Sequence, residues 1–187
     1  MELGSCLVSA YMEVLIGANV PHASHIISLV VLPEDPEHVL GENGRADLLG
    51  HSVESGLVDS DMHAGPHANE WIRGGFARMH LDRPERPVLY GNRVGGYRVQ
   101  CPHCGANMVR ALSVALEDWR SGGTRTAQCG VCEHKELIEK LVFLPPAAPA
   151  RWALVFRRSE SADLEPGCLA QLSMWVGVPL RSIVTRG

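Results

Sequence analysis

The chain has 187 residues, 45% of them hydrophobic and 20% charged, with a net charge of −4. These are ordinary globular values, and they exclude collagen-like, coiled-coil and wholly disordered chains. The length predicts one main domain that can bury roughly 70% of its unfolded surface.

The longest strongly apolar stretch, Ile26 to Leu32, is far shorter than the about 20 residues a membrane-spanning helix needs. Met1-Glu2 supplies no basic n-region, and Glu13 interrupts the one apolar stretch that imitates a signal peptide. The expectation is a soluble, cytoplasmic protein with no membrane association. Charge is unevenly placed: residues 1–70 carry eleven acids against Arg45 alone, and residues 71–187 carry ten acids against sixteen bases. Such a split marks either a partner-binding surface or two halves that attract each other within one fold.

In chain order, Leu7 to Ile16 is apolar, with a periodicity that fits helix and buried strand equally. His25 to Leu32 is rich in β-branched residues and predicts a strand that stops at Pro33. Pro33 to Pro36 reads as a turn, and Glu37 to Leu40 as one helical turn. Gly41 to Gly75 lacks sustained periodicity and reads as loop with one more short strand. Leu81 to Pro87 marks a boundary.

Val88–Tyr90 and Gly96–Gln100 predict a hairpin running into the first of two cysteine pairs. Met108, Leu112, Ala115, Leu116 and Trp119 recur at helical spacing, with Asn107 as N-cap and Gly122 as stop. Leu137 to Leu144 and Trp152 to Phe156 read as strands. A helix is predicted from Pro166 to Val176, with Cys168, Leu172, Trp175 and Val176 as its apolar stripe and Gly177 at its end. Arg181 to Thr185 predicts a last strand.

Cys101-Pro102-His103-Cys104-Gly105 and Cys129-Gly130-Val131-Cys132 carry the clearest chemistry. Without a secretion signal, paired C-x-x-C reads as metal before disulfide. Each tight turn aims two thiolates at one ion, with Gly105 and Gly130 expected to take the positive φ such turns need. Four thiolates suit one tetrahedral zinc, with His134 replacing one thiolate as the main variant. The 24 residues between the pairs exceed the usual spacing, and the predicted helix accounts for the excess. A closed four-thiolate shell has no open position, so the zinc is expected to be structural. Cys6 and Cys168 read as small buried hydrophobes.

Other clusters read as ordinary surface. His63 and His67 stand in a stretch with Asp59, Asp61 and Glu70, but Gly65-Pro66 between them breaks the helix that would align them. A polar loop is expected there, and His22 and His25 read as surface or satisfied histidines. Gly50-His51-Ser52-Val53-Glu54 begins like a nucleophile elbow but has Glu where the last glycine belongs. Neither Lys135 nor Lys140 follows a glycine, which excludes a P-loop ATPase.

From about Pro87 to the C-terminus the chain resembles a group of small, uncharacterised bacterial zinc-ribbon proteins. The resemblance is carried by a hairpin into C-P-x-C-G, a second C-x-x-C, a strand with aromatic and proline (Leu141 to Pro146), and a strand–helix–strand tail. Some members bear the automatic name sugar ABC transporter ATPase, which the missing P-loop keeps from this chain. The resemblance implies a fold and no activity.

The combined expectation is an α+β fold, a sheet flanked by helices with an inserted four-cysteine zinc ribbon. Residues 1–86 would form an acidic N-terminal α/β portion, 87–144 the ribbon, and 145–187 a strand–helix–strand return to the main domain. The leading functional expectation is a non-catalytic protein-binding module; one specific version is an immunity-type protein, with Glu34, Asp35 and Glu37 on its acidic surface. The alternatives are a nucleic-acid accessory protein using Arg73, Arg78, Arg93 and Arg98, and a hydrolase using His63 and His67.

Overall fold

The computed structural model describes residues 27–92 and 96–186. The expectations for Leu7–Ile16, Cys6, His22, His25 and Arg93 lie outside these residues. A four-stranded antiparallel sheet in the order β10-β1-β9-β2 forms the centre, from β1 (Ile27–Pro33), β2 (Arg78–Asp82), β9 (Ala153–Ser159) and β10 (Leu180–Arg186). Among the described residues, no helix is long and apolar enough to cross a membrane.

The unbroken apolar run Leu29–Leu32 of β1 follows from burial on both faces. Leu29 and Val31 point to one core with Leu154, Phe156 and Met79, and Val30 and Leu32 point to another with Val155, Ala153 and Ile183. The first face is covered by α1 (Glu42–Glu54), α2 (Ala68–Trp71) and α4 (Cys168–Val176), through Leu48, Trp71 and Leu172. Trp175 of α4 stacks on His51 at 5.5 Å and meets Trp71 at 5.1 Å, so all three helices converge on one indole. The second face is covered by a short ladder of β3 (Val88–Tyr90) and β8 (Ala148–Ala150).

The segment between β3 and β8 holds the cysteines. It contains β4 (Arg98–Gln100), α3 (Val109–Arg120), β5 (Thr126–Gln128), β6 (Lys135–Leu137), a 3-10 turn (Ile138–Lys140) and β7 (Val142–Leu144). The expected hairpin of Val88–Tyr90 with Gly96–Gln100 does not form. β3 pairs with β8 and β4 with β7, so the two strands run in succession along one arm and the chain returns beside them. Leu137–Leu144 is not one strand either, because the 3-10 turn buries Ile138 and divides it.

Gly41–Gly75 is also corrected, since it contains the 13-residue α1 and the short α2. Leu48 and Ser52 are the buried residues of α1, so it has no apolar stripe for periodicity to detect. Glu37–Leu40 is a turn and extended chain rather than a helical turn. The helix expected from Pro166 begins at Cys168, behind Gly167.

Glu37, in the turn after β1, joins the cysteine segment to the sheet. Its Oε1 accepts from Trp119 Nε1 at 2.6 Å and Arg125 Nη1 at 3.0 Å, and its Oε2 accepts from Arg151 Nε and Nη2, both at 3.1 Å. Arg125 Nε also donates to Glu139 at 3.0 Å, and the Arg151 guanidinium lies 5.4 Å from the centre of the Trp119 ring. The adjoining His38 Nδ1 accepts from the buried Trp152 indole at 2.9 Å. Burial opposes ionisation of Glu37, but the hydrogen bonds from Arg151, Trp119 and Arg125 hold its carboxyl below the usual range.

A carboxyl with a depressed folded pKa contributes stability that is present above its unfolded pKa and is lost as pH falls through the folded value. Glu37→Gln is therefore expected to lower stability at neutral pH by about 1–2 kcal/mol, allowing for its partial exposure. The difference from wild type should shrink as pH drops below the ordinary glutamate range. Urea denaturation of both proteins across an acid pH series checks this.

Candidate metal centre

The two cysteine turns have the same backbone. In the first, Cys101 N–H donates to Ala106 O at 2.8 Å and Gly105 N–H donates to Cys101 O at 2.9 Å. In the second, Cys129 N–H donates to His134 O at 2.9 Å and Glu133 N–H donates to Cys129 O at 3.0 Å. The fifth position of each turn lies in the left-handed region, with φ 73° at Gly105 and 58° at Glu133. Gly130 is not among the positive-φ residues, so the expectation that Gly130 relieves the second turn is replaced by a strained Glu133.

Each turn caps a pair of antiparallel segments. β5 and β6 flank the second, and β4 enters the first, which leaves through a bridge from Gln100 to Asn107. Asn107 then starts α3 by accepting the Val109 N–H at 2.9 Å, one residue ahead of the N-cap position itself. Met108 and the α3 residues Leu112, Ala115, Leu116 and Trp119 are all buried with Val99, Ala127, Ile138, Leu141 and Phe143, so the helical stripe packs against the strands that lead to and from the two turns. Gly122, with φ 86°, follows the end of α3.

The Sγ atoms of Cys101, Cys104, Cys129 and Cys132 all lie within 4.8 Å of one another. Cys101 and Cys132 are 3.8 Å apart at sulfur, and Cys104 and Cys129 are 3.7 Å apart. A tetrahedron with metal–sulfur bonds of about 2.3 Å has sulfur–sulfur edges of about 3.8 Å. A disulfide requires about 2.05 Å, so the spacing suits a shared ion and not a pair of crosslinks. The four residues fit a tetrahedral metal ion, and among the described residues they form the one group of this kind.

The sulfurs also shape each other's ionisation. Backbone N–H groups of Cys132 and Val131 bring the Cys129 thiol down to about 6. The His134 N–H favours the Cys132 thiolate, but burial and the neighbouring sulfurs of Cys104, Cys129 and Cys101 push that thiol up to about 12. Four thiols this close resist shedding all their protons without a cation among them. The His134 ring lies outside the cluster, stacked on His103 at 5.2 Å with Nε2 3.4 Å from Glu136 Oε2.

The weaker clusters stay apart. His63 faces Asp59 at 3.8 Å and His67 faces Glu70 at 2.8 Å, each paired with its own acid, and Asp59 Oδ1 accepts the Asp61 and His63 N–H groups. Ser52 is fully buried inside α1 and donates to Leu48 O at 2.7 Å, so it is closed to substrate. Cys168 is half-buried on the helix-covered core rather than fully enclosed, and burial raises its pKa. Arg73 pairs with Glu165 at 3.4 Å, Arg78 opens β2, and Arg98 opens β4.

Laid one on the other, the two cysteine motifs align Gly105 with Glu133, a correspondence that the positions of the glycines alone do not reveal. Comparison of the chain with protein-family models, with curated proteins and with solved structures found no match.

An L-residue in the left-handed region costs on the order of 1 kcal/mol. Glu133→Gly is accordingly expected to raise stability by about 0.5–1 kcal/mol, the gain being trimmed by glycine's unfolded-state entropy. Gly105→Ala should lower it by about 1 kcal/mol, although no atom lies near its missing Cβ. Opposite shifts of the thermal midpoint in the two variants check the assignment.

Proposed function

We propose that the four cysteines hold one structural zinc ion as a zinc ribbon, and that the chain is a non-catalytic, cytoplasmic protein-binding module. The observation that carries the first part is the four-sulfur cluster at tetrahedral spacing, a donor set that favours zinc and leaves no ligand position for substrate. Bound there, the ion would fix two turns and the helix packed against their strands, and would do no chemistry on a substrate. Structural zinc contributes about 10–16 kcal/mol in small peptides, comparable to the about 5–15 kcal/mol that holds a whole domain.

The binding role rests on the surface of the same segment. Of eight large hydrophobic side chains exposed among the described residues, Val109, Val114, Val131, Val142 and Leu144 belong to it. Val131, at the second cysteine turn, is 76% exposed. Aliphatic side chains gathered on one metal-braced segment suit a protein partner. The immunity-type version keeps Glu34 and Asp35 as acidic surface, but Glu37 has both oxygens engaged internally and is withdrawn from it.

Native mass spectrometry with metal analysis is expected to give one zinc per chain, lost on chelation together with cooperative folding. A second metal, or a zinc whose removal spares the fold, overturns the structural assignment. For the binding role, Val131→Asp with Leu144→Asp should retain zinc and yet lose at least tenfold in affinity for a protein partner captured by wild type. Salt-dependent binding to an oligonucleotide, abolished by Arg78→Gln with Arg98→Gln, would instead establish the nucleic-acid reading.

A further inference from the structure

The face of the central sheet that carries β3 and β8 is only partly covered. Tyr90, Ala148 and Ala150 pack with Val30, Leu32, Val155 and Ile183. Beyond them the register changes character. Thr185 stands opposite Ser28, Ser28 opposite Arg157, and Arg157 opposite Arg78, so one polar rank crosses all four strands. A cleft of about 170 Å³ lies between this part of the sheet and β3, lined among others by Ser28, His80, Arg157, Thr185 and Arg186.

Several observations mark the cleft. Arg78 and Arg157 are direct cross-strand neighbours, and like charges in that position destabilise a sheet. Among the described residues, neither guanidinium has an ion-pair partner, and the same holds for Arg186. The one carboxylate on the wall, Asp82, is held by the Tyr90 hydroxyl at 2.9 Å. β9 also carries an irregularity at this spot. The β1–β9 register shifts between Ile27 and Ser28, and Arg158 adopts φ 53°. A bulge with a non-glycine residue in the left-handed region costs free energy, and Arg157, just before it, shares the cleft face with Val155 by strand alternation. Burial first and Arg157 second disfavour the cationic form of His80, which Asp82 favours.

We propose that this cleft binds the phosphate group of a small phosphorylated ligand, seated between Arg157 and Arg186 with the Ser28 hydroxyl as a further donor. A phosphate offers several acceptor oxygens to two planar guanidiniums, which matches their donors better than a single carboxylate does. It also gives Arg157, which faces Arg78 across the strands, a counter-charge from the cleft side. The volume admits a phosphate and a few atoms beyond it, which suits a small molecule better than a polymer.

The test uses the full chain and inorganic phosphate as probe, followed by calorimetry and amide chemical shifts, with acetate and a short single-stranded oligonucleotide alongside. Saturable phosphate binding is expected to shift the amides of Ser28, His80 and Arg157. Arg157→Gln should weaken it at least tenfold, Arg186→Gln should do the same, and Arg110→Gln on α3 should leave it unchanged. Arg157→Gln should also raise the thermal midpoint measured without phosphate, because it removes the facing charge. No saturable binding, equal weakening by Arg110→Gln, or acetate binding as well as phosphate would overturn the proposal. Oligonucleotide binding that displaces phosphate would replace it with a nucleic-acid surface.

Discussion

One carboxylate sets the relation between the central sheet and the cysteine segment of this protein. Glu37 leaves the central strand β1 by a short turn and meets Trp119 and Arg125 from the cysteine segment and Arg151 from the link between β8 and β9. Three donors that are remote in sequence are thus fixed about a single pair of oxygens. A partly buried carboxylate loses hydration, and only charged donors at short range offset that loss. Glu139 extends the arrangement through Arg125, while Arg181 lies within the electrostatic reach of Glu34 and Glu139, its Nε and Nη2 buried without hydrogen-bond partners among the described residues. The joint is therefore a charge-balanced network, and such networks specify an orientation more than they add stability.

The cysteine segment hangs from that joint and has an order of its own. Its two turns repeat one hydrogen-bond scheme, and α3 packs its apolar stripe into the space between the strands that carry them. The four sulfurs meet because the turns face each other across this core, and their spacing is that of a tetrahedron. The protein fold thus preorganises the donors, and a bound cation would be the counter-charge that lets all four ionise.

Much of this was legible in the residues. The cysteine spacing named the cluster, and the buried positions of α3 followed from the recurrence of Met108, Leu112, Ala115, Leu116 and Trp119. β1, β9, α4 and β10 were found within two or three residues, because two-sided burial and a clear stripe leave strong patterns. α1 was invisible for the opposite reason: its buried positions are Leu48 and Ser52, and Gly44 and Gly50 weaken its helical propensity. The pairing of β3 and β4 was misread because nearness in sequence favours a hairpin, whereas the partners that bury them lie beyond the whole cysteine segment. Glu37 carried no local signal, since its role depends on groups brought from residues 119, 125 and 151.

The successive ladders of β3 with β8 and β4 with β7 also bear on how the chain finds its sheet. β2 and β9 are neighbours in the sheet although about 70 residues separate them, and closing so long a loop is entropically unfavourable. Once Tyr90 lies beside Ala148, only about a dozen residues remain open between those strands, which lowers the closure penalty by about 1.5 kcal/mol. The cysteine segment, built from contacts nearer in sequence, thereby acts as a zipper slider: drawn shut at its own end, it brings β2 and β9 within reach of each other.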